Sequence, residues 1–162
     1  MKRLSVILAA AALLTASTVP ALGRGPVSNF RTHLTGSEEV PAVETSAQGQ
    51  AIFQLSNDGE SLHYKLIVAN LVNTLQAHIH VGPAGEIGPV VAFLYPDAPP
   101  PQLIPGAFSG VLAQGVITDG DLIGPLAGMS LDDLIEAFED GLAYVNVHTV
   151  ANPVGEIRGQ LD

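Results

Sequence analysis

From Phe30 onward, apolar and polar residues alternate over short runs broken by glycine and proline. Residues 51–55 place Phe53 and Leu55 on one face, and 62–68 place Leu62, Tyr64, Leu66 and Val68 on one face. Between them, Ser56-Asn57-Asp58-Gly59 is turn chemistry, so the two runs predict a hairpin with one buried side. His63 and Lys65 fall on its other side. Further strands are predicted over 77–81, 90–94, 111–117, 143–149 and 156–161. Residues 96–101, PDAPPP, form a stiff exposed loop, because three consecutive prolines supply no backbone donors. The number and spacing of these runs predict an all-β antiparallel sandwich.

One helix interrupts the strands. Ser130 and Asp133 form a capping-box start, Leu131, Leu134, Ile135 and Phe138 make one apolar stripe, and Gly141 is a natural stop. Its acidic residues Asp132, Asp133, Glu136, Glu139 and Asp140 read as a solvated face.

The first 23 residues follow another pattern. Met1-Lys2-Arg3 precedes an apolar run too short for an ordinary membrane span, ending in small residues, with Ala21 and Gly23 at the positions of an A-x-A-like cleavage site. Residues 1–23 are expected to be a cleaved signal peptide, 24–29 a short extension, and 30–162 a single domain. A periplasmic or secreted location follows, with no membrane span downstream. The chain has no cysteine, so stability must come from the core without disulfides.

The formal charge of the chain is −10. Cleavage would remove Lys2 and Arg3 and no acid, leaving four Lys+Arg against sixteen Asp+Glu, a formal charge of −12. Such a surface repels nucleic acid and anionic lipid. No G-x-S-x-G, phosphate loop or dinucleotide fingerprint is present, and without cysteine thiol chemistry is impossible. Hydrolytic and nucleotide-dependent functions are therefore disfavoured.

The histidines are the main candidate chemistry. In the strand AHIHV (77–81), His78 and His80 share one face and stand about 7 Å apart at Cα, within reach of one metal ion. Ala77, Ile79 and Val81 take the core side. In YVNVH (144–148), Val145 and Val147 take the core side, leaving Tyr144, Asn146 and His148 on the outer face. Each histidine strand is followed by a P-x-G-E-I segment, Pro83 to Ile87 and Pro153 to Ile157, which suggests that the two strands are neighbours sharing a site. The expected ligand set is His78, His80 and His148, with His63 as the fourth candidate and copper or zinc as the ion. Glu86 and Glu156 are candidate acceptors for an imidazole N–H, or partners of Arg158. His33 is assigned to the surface. The alternative is that the histidines merely brace the loops by hydrogen bonding.

Four segments carry a family resemblance: LTGSEEVP (34–41), AHIHVGPAGEIGPVV (77–91), SLDDLIEAFEDG (130–141) and AYVNVHTVANPVGEIRGQL (143–161). Together they resemble the chordin-domain (CHRD) family over about residues 30–161. The resemblance implies an immunoglobulin-like β-sandwich and a single secreted domain of the microbial type. It does not imply capture of bone morphogenetic proteins, which the family picture credits to cysteine-rich modules absent here. Nor does it supply an established reaction.

The order of His78, His80 and His148 is also similar to the copper ligands of copper-zinc superoxide dismutase. This chain lacks that family's disulfide, zinc loop and positive guidance surface, with Arg158 the sole guidance candidate, so the similarity implies at most a copper-only oxidoreductase. Three expectations result: a metal-binding secreted protein, a metal-free module for an extracellular protein or glycan, and a dismutase-like enzyme.

Overall fold

The computed structural model describes residues 29–161. The expected signal peptide and nearly all of the 24–29 extension lie outside the described residues. Seven strands and one α-helix follow in the order β1 (Asn29–Thr35), β2 (Gln48–Leu55), β3 (Leu62–Val81), β4 (Val90–Tyr95), β5 (Ile104–Ile117), α1 (Leu131–Glu139), β6 (Ala143–Thr149) and β7 (Ile157–Leu161). Among the described residues, no helix is long and apolar enough to cross a membrane.

All strand pairings are antiparallel. The sheet runs β2-β1-β7-β6-β3, and β3 pairs back onto β2, closing the sheet on itself. The closure depends on the length of β3, which has 20 residues. Residues 62–69 pair with β2, and the second half of the strand pairs with β6 on the same edge. On the other edge β3 holds β5 and then β4.

The strand turns between these partners at Asn70 and Asn73, whose φ values of 61° and 54° lie in the left-handed region that asparagine tolerates. Both amides tie the bend down: Asn70 Nδ2 donates to the Ser46 carbonyl at 3.1 Å, and Asn73 Oδ1 accepts from the Gly106 N–H at 2.8 Å. The sequence pattern separates 62–68 from 77–81. They are one strand because Leu71 and Thr74, both fully buried, carry the ladder across the bend.

The all-β class therefore holds, with one short helix. An immunoglobulin-like pair of sheets is not established by this ladder, since the hydrogen bonds run through β3 across the gap that would divide a sandwich. The predicted strand 143–149 matches β6 in full, while β5 begins at Ile104, seven residues before the predicted run. Residues 97–101 are exposed, as the prolines require.

Helix α1 packs onto the core. The Asp133 carboxylate accepts from both the N–H and the hydroxyl of Ser130, at 2.9 and 2.7 Å, and Asp119 accepts from the Leu131 N–H at 2.6 Å. The orphan donors of the first turn are thus partly met by carboxylates, which also suit the helix dipole. At the other end Gly141 adopts φ 67° and the Leu142 N–H reaches the Ala137 carbonyl. Phe138 meets Phe30 and Phe53 edge-on, with ring centroids 5.2 Å apart in both pairs. Each such pair adds roughly 0.5–1.5 kcal/mol beyond area burial.

Candidate metal centre

Every residue of β6 is buried, so the strand has two covered faces. Ala143, Val145 and Val147 join the hydrophobic core. Tyr144, Asn146 and His148 line the opposite face beside His78 and His80, because β6 pairs with β3 in the register His80↔Tyr144, His78↔Asn146 and Gln76↔His148. The adjacency expected from the matching loop segments is present.

The three imidazoles converge. Ring centroids are 5.0 Å apart for His78–His148, 5.7 Å for His78–His80 and 6.3 Å for His80–His148. One ring nitrogen from each lies within 4.8 Å of the others. Two bonds of about 2.1 Å to a shared ion allow at most about 4.2 Å between donors, so binding requires the widest pair to close by no more than about 0.6 Å to reach that limit.

These rings are 4–7 % exposed, contrary to the expectation of an open outer face. The loops that carry the two P-x-G-E-I segments explain the difference, because Gly88, directly after the first segment, and Pro153, which opens the second, each supply a carbonyl to one histidine. His80 Nδ1 lies 2.8 Å from the Gly88 carbonyl and His148 Nδ1 lies 3.1 Å from the Pro153 carbonyl. A carbonyl can only accept, so both Nδ1 atoms carry hydrogen and both Nε2 atoms carry the lone pair. His148 Nε2 sits 3.2 Å from His78 Nδ1. The Nε2 atoms of His78 and His80 are buried without a hydrogen-bond partner.

Burial also keeps the cluster uncharged. It holds His78 at a pKa of about 3, helped by the neighbouring His148 and His80, and His148 at about 4 against the opposing pull of the Pro153 carbonyl. His80 is lowered by burial, against the opposing pull of the Gly88 carbonyl. Three neutral imidazoles therefore face one another at pH 7, the protonation state that ligation needs. An unsatisfied buried polar atom costs about 1–3 kcal/mol, so two orphaned nitrogens in one cluster are a standing cost unless something binds there. The donor set fits copper or zinc.

His63 is not part of this cluster. It is exposed near the start of β3, opposite Gln54 and Val116. His33 is exposed on β1, as expected. The side chain of Glu86 is exposed, and the residue is tied in by its main chain: its carbonyl accepts from Arg158 Nη1 at 2.7 Å and its N–H donates to the Pro83 carbonyl. Glu156 accepts from the hydroxyls of Thr45 and Thr149 at 2.7 and 2.6 Å and touches no imidazole. Main-chain carbonyls take the role expected of these carboxylates.

Several partners were not predicted as such. Tyr144 stacks on His80 with centroids 4.8 Å apart and planes 12° from parallel, and its hydroxyl accepts from the Gly88 N–H at 3.0 Å. Arg158 is 2 % exposed, with Nη2 reaching the Pro83 carbonyl and Gln160 Oε1, both at 3.1 Å. It is spent on fixing the 82–89 loop and is not placed as a surface guide for anions. Glu39, from the LTGSEEVP segment, is buried with Oε1 unpartnered. Burial raises its pKa to about 7 despite the opposing Arg158 charge.

Comparison with known proteins agrees with the resemblance seen in the sequence. The chain is 31 % identical to chordin of Xenopus laevis over 133 residues and 32 % identical to chordin of Danio rerio over 130. Each alignment covers 79 % of this chain and 12 % of the relative, so the chain spans about an eighth of the length of these proteins. No solved structure matches. The CHRD domain family model matches residues 30–161, from the first core residue of β1 to the last of β7, and the chain belongs to the CHRD domain family.

Proposed function

We propose that this CHRD domain binds one copper or zinc ion through His78, His80 and His148. One observation carries the reading: three neutral imidazoles present nitrogens within 4.8 Å of one another, and two of the rings hold a buried nitrogen without a partner. Carbonyls of Gly88 and Pro153 fix the tautomers of His80 and His148, as second partners of ligating histidines commonly do. The bound ion would supply Lewis acidity or, for copper, redox capacity. His63 has no part in this set. The leader-like pattern of residues 1–23 supports export to the periplasm or beyond.

A dismutase-like activity would need an ion open to a small anion. Burial of all three rings and the commitment of Arg158 to main-chain carbonyls favour holding the ion over turnover.

The test is elemental analysis and copper titration of the chain beginning at Arg24, beside His78→Ala/His80→Ala and His148→Ala. One equivalent of copper or zinc in the parent, lost in both folded variants, supports the site. No specific metal in the parent, or equal uptake by all three proteins, rejects it.

A further inference from the structure

Charge is segregated by secondary structure in this chain. Every described Asp and Glu lies in a loop, a 3-10 turn or α1, and none lies on a strand. Every described Arg and Lys, and all five histidines, lie on strands. Arg158 is buried, so Arg31 and Lys65 are the exposed cations among the described residues.

These two cations share one surface. The register Arg31↔Ile52↔Lys65↔Gln114 sets four side chains side by side across β1, β2, β3 and β5. All four are exposed. The next row along the strands, His33↔Gln50↔Ile67, brings an imidazole beside Arg31, and the row on the other side, Gln54↔His63↔Val116, brings one beside Lys65. A shallow groove crosses the middle of the face between Ile52, Lys65 and Val116. The face uses residues 62–69 of β3, whereas the imidazole cluster uses 78–80.

We propose that this acid-free face of β1, β2, β3 and β5 is a docking surface for a carboxylate-bearing polysaccharide, a polyuronate. Charge complementarity selects an anionic partner, since the face gathers the exposed cations of a chain with sixteen acids. The side-chain amides select a sugar: glutamine both donates and accepts, which matches hydroxyls as well as carboxylates. Arg31 and Lys65 are two strands apart, about 10 Å at Cα, which suits anions spaced along a polymer. Of the aromatic residues on β1, β2, β3 and β5, Phe30 and Phe53 are buried and Tyr64 and Phe108 half-buried, so the face lacks an exposed aromatic anchor of the kind that dominates protein interfaces. Single-stranded nucleic acid is disfavoured because the face offers no exposed aromatic on which bases could stack, and a heavily sulfated glycan carries more charge per sugar than two cations can match.

The test is fluorescence anisotropy with a labelled oligogalacturonate, a neutral oligoglucan of equal length, a heparin oligosaccharide and single-stranded DNA, in calcium-free buffer at low ionic strength. The parent is expected to bind the oligogalacturonate in preference to all three others, with affinity falling as salt is added. Arg31→Gln/Lys65→Gln should weaken that binding at least tenfold. Glu136→Gln/Glu139→Gln on α1, and His78→Ala/His80→Ala, should leave it within twofold, which keeps this surface separate from the metal site. Circular dichroism confirms folding of each variant. Absence of uronate binding by the parent, equal binding of the neutral glucan, tighter binding of heparin or DNA, or unchanged binding by the Arg31/Lys65 variant overturns the proposal.

Discussion

The guanidinium carbon of Arg158 lies 3.4 Å from the centroid of the Tyr144 ring. Tyr144 in turn stacks on His80, so a buried cation, a phenol and a candidate ligand form one column. The same guanidinium grips the carbonyls of Pro83 and Glu86, in the loop whose Gly88 carbonyl orients His80. Arg158→Ala should therefore do two things. Removing the cation strands two carbonyls and loses the stacking, for a loss of roughly 2–4 kcal/mol in urea unfolding. It should also weaken copper binding at temperatures where the variant remains folded. Arg158→Lys, which keeps charge without the planar fork, should fall between parent and alanine in both measurements.

Stability without metal separates a ligand site from a structural brace. His78→Leu removes the unpartnered Nε2 and fills similar volume, at the loss of one hydrogen bond to His148. Without metal, its unfolding free energy should stay within about 1 kcal/mol of the parent, because the two effects offset. Metal uptake should vanish. A large loss of stability in the metal-free variant would mean that His78 is there to support the fold.

Acid should unfold the metal-free protein through its histidines. Their folded-state pKa values, about 3 for His78 and about 4 for His148, lie below the ordinary 6.5, so between these values the unfolded chain takes up protons that the folded chain refuses. Their stabilising contribution is complete above pH 6.5 and is lost as pH falls toward 4 and then 3. Within that window each histidine costs roughly 1 kcal/mol of stability for every pH unit of acidification. Urea midpoints at pH 7, 5.5 and 4.5 should fall in that order. A flat series would contradict the buried neutral cluster.

Glu39 acts with the opposite sign. Its pKa is raised from 4.5 to about 7, so the folded chain retains a proton that the unfolded chain releases. That contribution is fully present below pH 4.5 and is lost as pH rises through 7. Glu39→Gln should remove this dependence. The variant's unfolding midpoint should gain on the parent's between pH 6 and pH 8.5, and identical pH profiles would refute the assignment.

Gly155 adopts φ 139°, and a methyl group added there would strike the Glu39 carboxylate. Gly59 has φ 76° and open space around it. Alanine at Gly59 should cost about 1 kcal/mol for backbone conformation alone. Alanine at Gly155 should cost more, roughly 2–3 kcal/mol, because a buried carboxylate must also move. Thermal unfolding of the two variants makes the comparison directly.

What was readable in the sequence follows from which forces act locally. The hairpin around Ser56–Gly59, the α1 cap at Ser130 and the stop at Gly141 depend on neighbouring residues, and all three are present. The convergence of His78, His80 and His148 was readable because strand alternation and the repeated P-x-G-E-I segment both point to it. The roof over the cluster was not, since it depends on carbonyls of Gly88 and Pro153, which no side-chain pattern reports. The bend in β3 was also hidden: Asn70 and Asn73 resemble loop residues until their amides are seen to hold the strand together. Glu39 is distant in sequence from Arg158 and gave no sign of its burial.

The double use of β3 bears on how the domain can come apart. One strand of 20 residues is hydrogen-bonded to β2, β4, β5 and β6, four of the six other strands. No half of the sheet can open while the other keeps its full ladder, so the domain should unfold as one cooperative unit. Amides on both sides of Asn70–Asn73 should then exchange with solvent at a common, slowest rate, and the cationic sheet face and the imidazole cluster should be lost in the same event.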